Sequence, residues 1–175
     1  MTGVQTCAFP ISRIFAGKLA GHLQHLDADV RETVARAIGA IGPDAKAAVP
    51  ALAEQLTDVD RAVRTACAKA LGDIGPNAAS AIPQLLELFN DKDYGVREAL
   101  ARAFAGIGPA SAPAVPGLMR LLQDDRGSVR LAAVEALATI GSESAIALTA
   151  IKTLAKDDKY PSVRSAAQAA ITKIT

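Results

Sequence analysis

Residues 58–88 read DVDRAVRTACAKALGDIGPNAASAIPQLLEL, and residues 91–121 read DKDYGVREALARAFAGIGPASAPAVPGLMRL. The two stretches carry one pattern displaced by 33 residues. Working outward, Val-Arg recurs at Val30-Arg31, Val63-Arg64, Val96-Arg97, Val129-Arg130 and Val163-Arg164. Gly-Pro recurs at Gly42-Pro43, Gly75-Pro76 and Gly108-Pro109, and Gly141-Ser142 continues the register. A third marker is Val49-Pro50, Ile82-Pro83 and Val115-Pro116, with Leu148-Thr149 in the fourth place. An Asp stands six residues before the Arg at Asp58, Asp91 and Asp124. Asp157 stands seven before Arg164, as if one residue were inserted near Tyr160-Pro161. A fixed period of this kind marks stacked supersecondary units, none of which buries its apolar face alone.

Each unit predicts two helices. Helix A, about 29–41 in the first unit, puts Val30, Val34, Ala37, Ile38 and Ile41 on one face at helical spacing. Gly42 supplies a left-handed terminus and Pro43 forbids continuation. Helix B puts Ala45, Ala48, Val49, Leu52 and Leu56 on one face. Pro50 would break its interior, so a short helical turn after Pro43 is expected, followed by a main helix opening near Pro50. Thr149 removes that restriction in the fourth unit, where helix B is expected to run unbroken. Ser12–Leu23 matches a helix B and Pro161–Ile174 a helix A. The expectation is one solenoid segment over 12–175, of half a unit, four units and half a unit. Neither end shows an obvious polar capping helix, so self-association through the ends is also expected.

Composition fits this. The 175 residues are 50% hydrophobic but 3% aromatic, so Ala, Val, Ile and Leu must build the core. A net charge of +1 lacks the basic excess of a dedicated nucleic-acid surface. No apolar run approaches the ~20 residues of a membrane span. Thr2–Ile11, TGVQTCAFPI, resembles the translation of a common sequencing-adapter primer and departs from it only at Phe9. Residues 1–11 are therefore expected to be a non-native tail, and the rest a fragment of a longer chain. Cys67 is then the one relevant cysteine, and it forms no internal disulfide.

The joint pattern is Asp, a Val-Arg pair six residues on, A-x-A-[ILF]-x-x-I-G-P, then A-[VI]-P-x-L. It resembles the HEAT-like repeats named after phycobilisome lyases. The Trp, Leu-Gly and Tyr pattern of tetratricopeptide repeats and the T-P-L-H of ankyrin repeats are absent. The resemblance implies an all-α fold: a right-handed α-solenoid of stacked antiparallel helix pairs, with the B helices on the concave side. Its members have unrelated roles, so it says little about function.

No catalytic, cofactor or metal site is expected. His22 and His25 are the two histidines, and a metal would need further ligands. Cys67 falls on an apolar core position and has no base beside it. The iron-holding His-Glu pairs of hydroxylases in the resembling family do not occur here. The Arg ladder is read as structural: Arg64, Arg97, Arg130 and Arg164 are expected to reach back to the preceding loop, to Asp58, Asp91, Asp124 and Asp157, with a fork that suits a carboxylate or loop carbonyls, and to tie adjacent units. Arg31, facing His25 instead of an Asp, is expected to lack that tie.

Two surfaces remain. Helix A carries Glu32 and Arg36, Thr65 and Lys69, Glu98 and Arg102, then Leu131 and Glu135. These read as ordinary surface pairs on a solvated convex face. Helix B carries a stripe that varies between units: Glu54, then Ser80, Gln84 and Glu87, then Arg120, then Thr153, flanked by Gln55, Leu88, Leu121 and Leu154. A varying stripe on a repeating core is what a reading surface looks like, and an exposed Leu ladder would offer apolar contact. The function expected is a non-enzymatic scaffold holding a protein or peptide on the helix-B face. The alternatives are a subunit similar to bilin lyases, which load a tetrapyrrole, and, more remotely, nucleic-acid binding.

Overall fold

The structure is a computed structural model that describes residues 9–175, with side chains from Ile14 onward. The adapter reading of residues 1–11 lies outside these residues, apart from the backbone of 9–11. The helices are α1 (Phe9–Ala20), α2 (Ala28–Ile41), α3 (Val49–Glu54), α4 (Arg61–Ile74), α5 (Ile82–Glu87), α6 (Tyr94–Ile107), α7 (Val115–Leu121), α8 (Gly127–Ile140), α9 (Leu148–Asp157) and α10 (Pro161–Ile174). No strand occurs among the described residues.

The A helices are α2, α4, α6, α8 and α10, each 14 residues long. Asp27, Asp60 and Asp93 cap the first three by accepting the N–H of Asp29, Ala62 and Gly95. Gly42, Gly75, Gly108 and Gly141 end the first four at φ of 70–80°, where any side chain would be strained. A 3₁₀ stretch follows each glycine, Gly42–Ala48 in the first unit, and delivers the chain to the B helix. Pro50, Pro83 and Pro116 stand at the second position of α3, α5 and α7, where a missing N–H costs nothing.

The fourth unit departs from expectation twice. Thr149 does not let helix B run unbroken: a 3₁₀ stretch, Gly141–Ala147, still precedes α9. The break comes from the turn at Gly141 and the inward seating of Ser144 and Ala147, which repeat Ala45 and Ala48, and not from proline. The extra residue lies in α9 rather than near Pro161. The N–H groups of Asp58, Asp91 and Asp124 bond to the carbonyl three residues back, whereas that of Asp158 bonds to Leu154, four back. An α-type final turn thus absorbs one residue, and Asp158 takes the place expected for Asp157.

The core runs unbroken along the stack. It is built on Leu, Ile, Val and many alanines, with Phe104 the largest fully buried side chain. Cys67 is fully buried within it, and burial pushes its thiol up to about 12. The A helices meet backbone to backbone. A Cβ on Gly39 would stand 3.0 Å from Ala70 Cα, and one on Gly72 would stand 2.9 Å from Ala103 Cα. In the B layer, by contrast, the Phe89 ring lies over Gly117 of α7 and stacks on Phe104 with centroids 5.5 Å apart. Residues 127–157 taken as one run are apolar enough to cross a membrane. They reverse at Gly141 into two helices of 14 and 10 residues that pack in the stack, each shorter than the ~20 residues of a span.

The outward side of α10 differs from the faces inside the stack. Ala35, Ala68, Ala101 and Val134 are fully buried against the next unit, and the corresponding residue of α10 is the exposed Gln168. Gly39, Gly72, Ala105 and Ala138 likewise give way to the exposed Thr172.

Candidate functional site

The Arg ladder is a continuous chain of hydrogen bonds. One guanidinium nitrogen, Nη1, donates to the carbonyl six residues upstream: Arg31 to His25 at 2.8 Å, Arg64 to Asp58 at 2.7 Å, Arg97 to Asp91 at 2.7 Å, Arg130 to Asp124 at 2.6 Å and Arg164 to Asp158 at 2.7 Å. Nε donates forward to the carboxylate of the next unit: Arg31 to Asp58, Arg64 to Asp91, Arg97 to Asp124 and Arg130 to Asp158, at 2.6–2.7 Å. Each carboxylate also accepts the N–H two residues on, from Asp60, Asp93, Arg126 and Tyr160.

This corrects the expected pairing. Arg64, Arg97 and Arg130 do not bond to the side chain of the upstream Asp but to its carbonyl, because that carboxylate is held by its own loop and by the preceding unit's Arg. Arg31 loses nothing to His25: it has its carbonyl and Asp58, while His25 Nδ1 accepts the Asp27 N–H in place of an Asp. Asp157 is exposed and outside the ladder. Arg164 is the ladder member with no carboxylate partner among the described residues. Burial alone would raise the Asp58 and Asp124 carboxyls, but the Arg31 and Arg97 guanidinium groups outweigh it and hold both below the ordinary value of 3.8. Arg130 holds Asp158 below it too. The ladder is thereby committed to register and is not a free anion-binding stripe.

The helix-B stripe is only partly as expected. Glu54, Ser80 and Gln84 are exposed around a shallow cavity of 310 Å³ between α3 and α5. Glu87 is exposed, and Arg120 lies 5.8 Å from the Phe89 ring. Thr153 and the half-buried Leu154 line another cavity, of 510 Å³, beside Asp157. The Leu ladder fails. Leu88 and Leu121 are 7% and 5% exposed and belong to the core. The B helices α3 and α5 tighten after Glu54 and Glu87 into 3₁₀ turns (Gln55–Thr57, Leu88–Asn90), but Leu121 is buried from within α7 itself, so the inward position does not depend on the turn. Gln55 is half-buried, and its amide lies 3.2 Å from the Leu23 carbonyl and Asp58 Oδ2.

The larger hollow is on the A-helix face. A cavity of 720 Å³ crosses α2, α4 and α6, walled by Glu32, Arg36, Arg61, Lys69, Asp73 and Tyr94 among others. Its charges balance. Arg36 pairs with Glu32 at 3.6 Å, Arg61 with Asp93 at 2.8 Å, and Lys69 acts on Asp73, whose carboxyl burial pushes above its ordinary value. Tyr94 is shared with a second cavity of 350 Å³, reaching α8 and α10. Sequence reasoning set this face aside as solvated surface. The signal for it was the Gly and Ala spacing of the A helices, which lets their axes approach and leaves long side chains to wall a trough.

The chain can now be placed among known proteins. A family model described as HEAT repeats matches residues 18–105 and 82–172. The chain belongs to the HEAT-repeat family. It is an all-α, right-handed solenoid of antiparallel helix pairs, in which the HEAT units repeat every 33 residues. No curated protein sequence matches it. Among solved structures it is similar to the complex of CpcE and CpcF of phycocyanin lyase from Nostoc sp. PCC7120, with 27% identity and a TM-score of 0.79. That match covers 91% of this chain and 65% of that one. It is also similar to an engineered protein, with 26% identity, a TM-score of 0.76 and coverage of 91% and 78%. A designed armadillo repeat protein in complex with the peptide (KR)4 shares the fold, with 21% identity, a TM-score of 0.79 and coverage of 91% and 82%. This HEAT chain is thus a repeat scaffold of the kind typical of protein binding.

Proposed function

We propose that this solenoid is a non-catalytic scaffold that holds an extended protein segment across its A-helix face. The 720 Å³ cavity spanning three successive A helices carries the reading. A trough that crosses repeats, rather than lying within one, suits a ligand longer than a single side chain. The close backbone approach at Gly39 and Gly72 supports placing the A helices on the inner side of the stack, the reverse of the sequence expectation. The helix-B stripe of Glu54, Ser80, Gln84, Glu87, Arg120 and Thr153 is the second candidate surface, with the smaller cavity between α3 and α5 in its favour.

The test starts from peptides selected for binding from a random displayed library. Charge reversal at Arg36 and Lys69 is expected to weaken the selected peptides at least tenfold, while reversal at Glu87 and Arg120 leaves them unchanged. The opposite outcome assigns the function to the B stripe, and failure to select any binder contradicts the scaffold reading. A bilin-lyase-like role is the other reading, favoured by the 27% identity to the CpcE and CpcF complex. It requires visible absorption of a bound bilin after the chain is mixed with free bilin.

A further inference from the structure

The two cavities on the A-helix face share Tyr94 but differ in charge. The one over α2, α4 and α6 has a carboxylate for each cation in its wall. The other is lined by Tyr94, Arg126, Gly127, Ser128, Leu131, Tyr160 and Ser162, with one cation and no carboxylate. The change follows a single column of the repeat. The residue opening each A helix from outside is Asp27, Asp60 and Asp93 in the first three units and becomes Arg126 and then Tyr160.

The side chains are set for a ligand. Tyr94 and Tyr160 are 45% and 44% exposed, large rings left open in a chain with few of them. The Arg126 guanidinium carbon lies over the Tyr94 ring, 4.7 Å from its centre, a cation–π contact that helps to hold the side chain in place. Among the described residues it forms no ion pair, unlike Arg31, Arg61, Arg64, Arg97 and Arg130 of the same stack. The Tyr160 ring presses on Gly127, where any Cβ would collide with it, so the opposite wall is fixed as well. Lys159 Nζ lies 5.0 Å from that ring but lines the neighbouring cavity beside Asp157 and Asp158, so Arg126 is the cation of this one. A guanidinium over an aromatic ring still has N–H groups to donate, and their fork matches a carboxylate.

We propose that this cavity is an anchor for an acidic side chain, Glu or Asp, of the protein segment bound along the A-helix face. The inference rests on that reading of the face and gives the bound segment a polarity, with its acidic residue over α6, α8 and α10. Arg126 accounts for most of the selectivity, and the two tyrosine rings screen the contact from water.

Three labelled octapeptides, GSGEEGSG, GSGQQGSG and GSGKKGSG, provide the test, with affinity read by titration of backbone amide shifts. The Glu peptide is expected to shift Gly127, Ser128 and Ser162 and to bind at least tenfold more tightly than the other two. Arg126→Glu is expected to abolish the difference, and Tyr94→Leu to weaken it while folding, followed by circular dichroism, is retained. Equal binding of all three peptides, no binding of the Glu peptide, or an unchanged preference in Arg126→Glu would each overturn the anchor. Library peptides that footprint on the A-helix face but carry no acid would also overturn it, while leaving the scaffold reading intact.

Discussion

At the scale of residues, the ladder shows how one inserted residue moves a function by one position. Asp158, not Asp157, receives the Arg130 fork, at 2.7 and 2.9 Å, with both partners nearly buried. Removing one partner of a buried pair leaves the other uncompensated. Asp158→Asn is therefore expected to cost about 3 kcal/mol in urea unfolding, and Asp157→Asn to change stability by less than about 0.5 kcal/mol. Equal effects would contradict the assignment. The two buried serines make a second contrast. Ser111 Oγ donates to the Phe104 carbonyl at 3.0 Å, whereas Ser144 Oγ is buried without a partner among the described residues. Ser111→Ala is expected to lose about 1 kcal/mol and Ser144→Ala to lose nothing or gain up to that amount, as read from the midpoint of thermal unfolding. The Arg column was legible in the sequence because it recurs in register. Its direction was not, because the upstream Asp and the downstream Asp stand at equally regular spacings, and only the geometry of the loop says which one turns its carboxylate toward which Arg.

At the scale of elements, helix positions could be read from period, glycine and proline, since each acts on the backbone locally. What could not be read was the depth of the flanking column of helix B. Leu88, at the head of a 3₁₀ turn, and Leu121, inside α7, are both core residues, because neighbouring units cover a column that the wheel of one isolated helix leaves open. Packing between A helices makes its own prediction. A Cβ on Gly106 would collide with the Gly72 backbone of α4, whereas one on Gly17 of α1 meets nothing within 4 Å. Gly106→Ala is expected to destabilise by about 1–3 kcal/mol by forcing α4 and α6 apart. Gly17→Ala is expected to stabilise by about 0.5–1 kcal/mol through helix propensity. Chemical denaturation of both variants compares them directly. The loops between elements set the response to acid. Asp58, Asp93, Asp124 and Asp158 are held below the ordinary 3.8 by Arg31, Arg61, Arg97 and Arg130. A carboxyl whose pKa is lower folded than unfolded binds fewer protons when folded. Its contribution is complete above the unfolded value and is lost as pH falls through the folded one. Urea midpoints are therefore expected to be level down to about pH 5 and to fall steadily below about pH 4. A flat profile to pH 3 would contradict the coupling.

At the scale of the whole molecule, the account makes two layers out of one repeated sequence. The A layer, spaced by glycine and alanine, leaves a trough whose wall chemistry changes from balanced charge to a cation between two rings. The B layer, kept apart by side chains such as Phe89, presents a smaller hollow of 310 Å³ between α3 and α5. Variation between units points to the B stripe as a reading surface, because the A stripe resembles ordinary i,i+4 pairing of Glu32 with Arg36 and Glu98 with Arg102. Those pairs exist, at 3.6 and 3.1 Å. Pairing did not reveal that Glu32 and Arg36 stand at the edge of a hollow, because a hollow depends on the distance between helices rather than on the residues of one helix. Amide hydrogen exchange of the protein, with and without a library-selected peptide, tests this division most directly. The account predicts added protection in the N-terminal halves of α4, α6 and α8, with exchange at Ser80, Gln84 and Glu87 unchanged. Protection confined to α3 and α5 would contradict it.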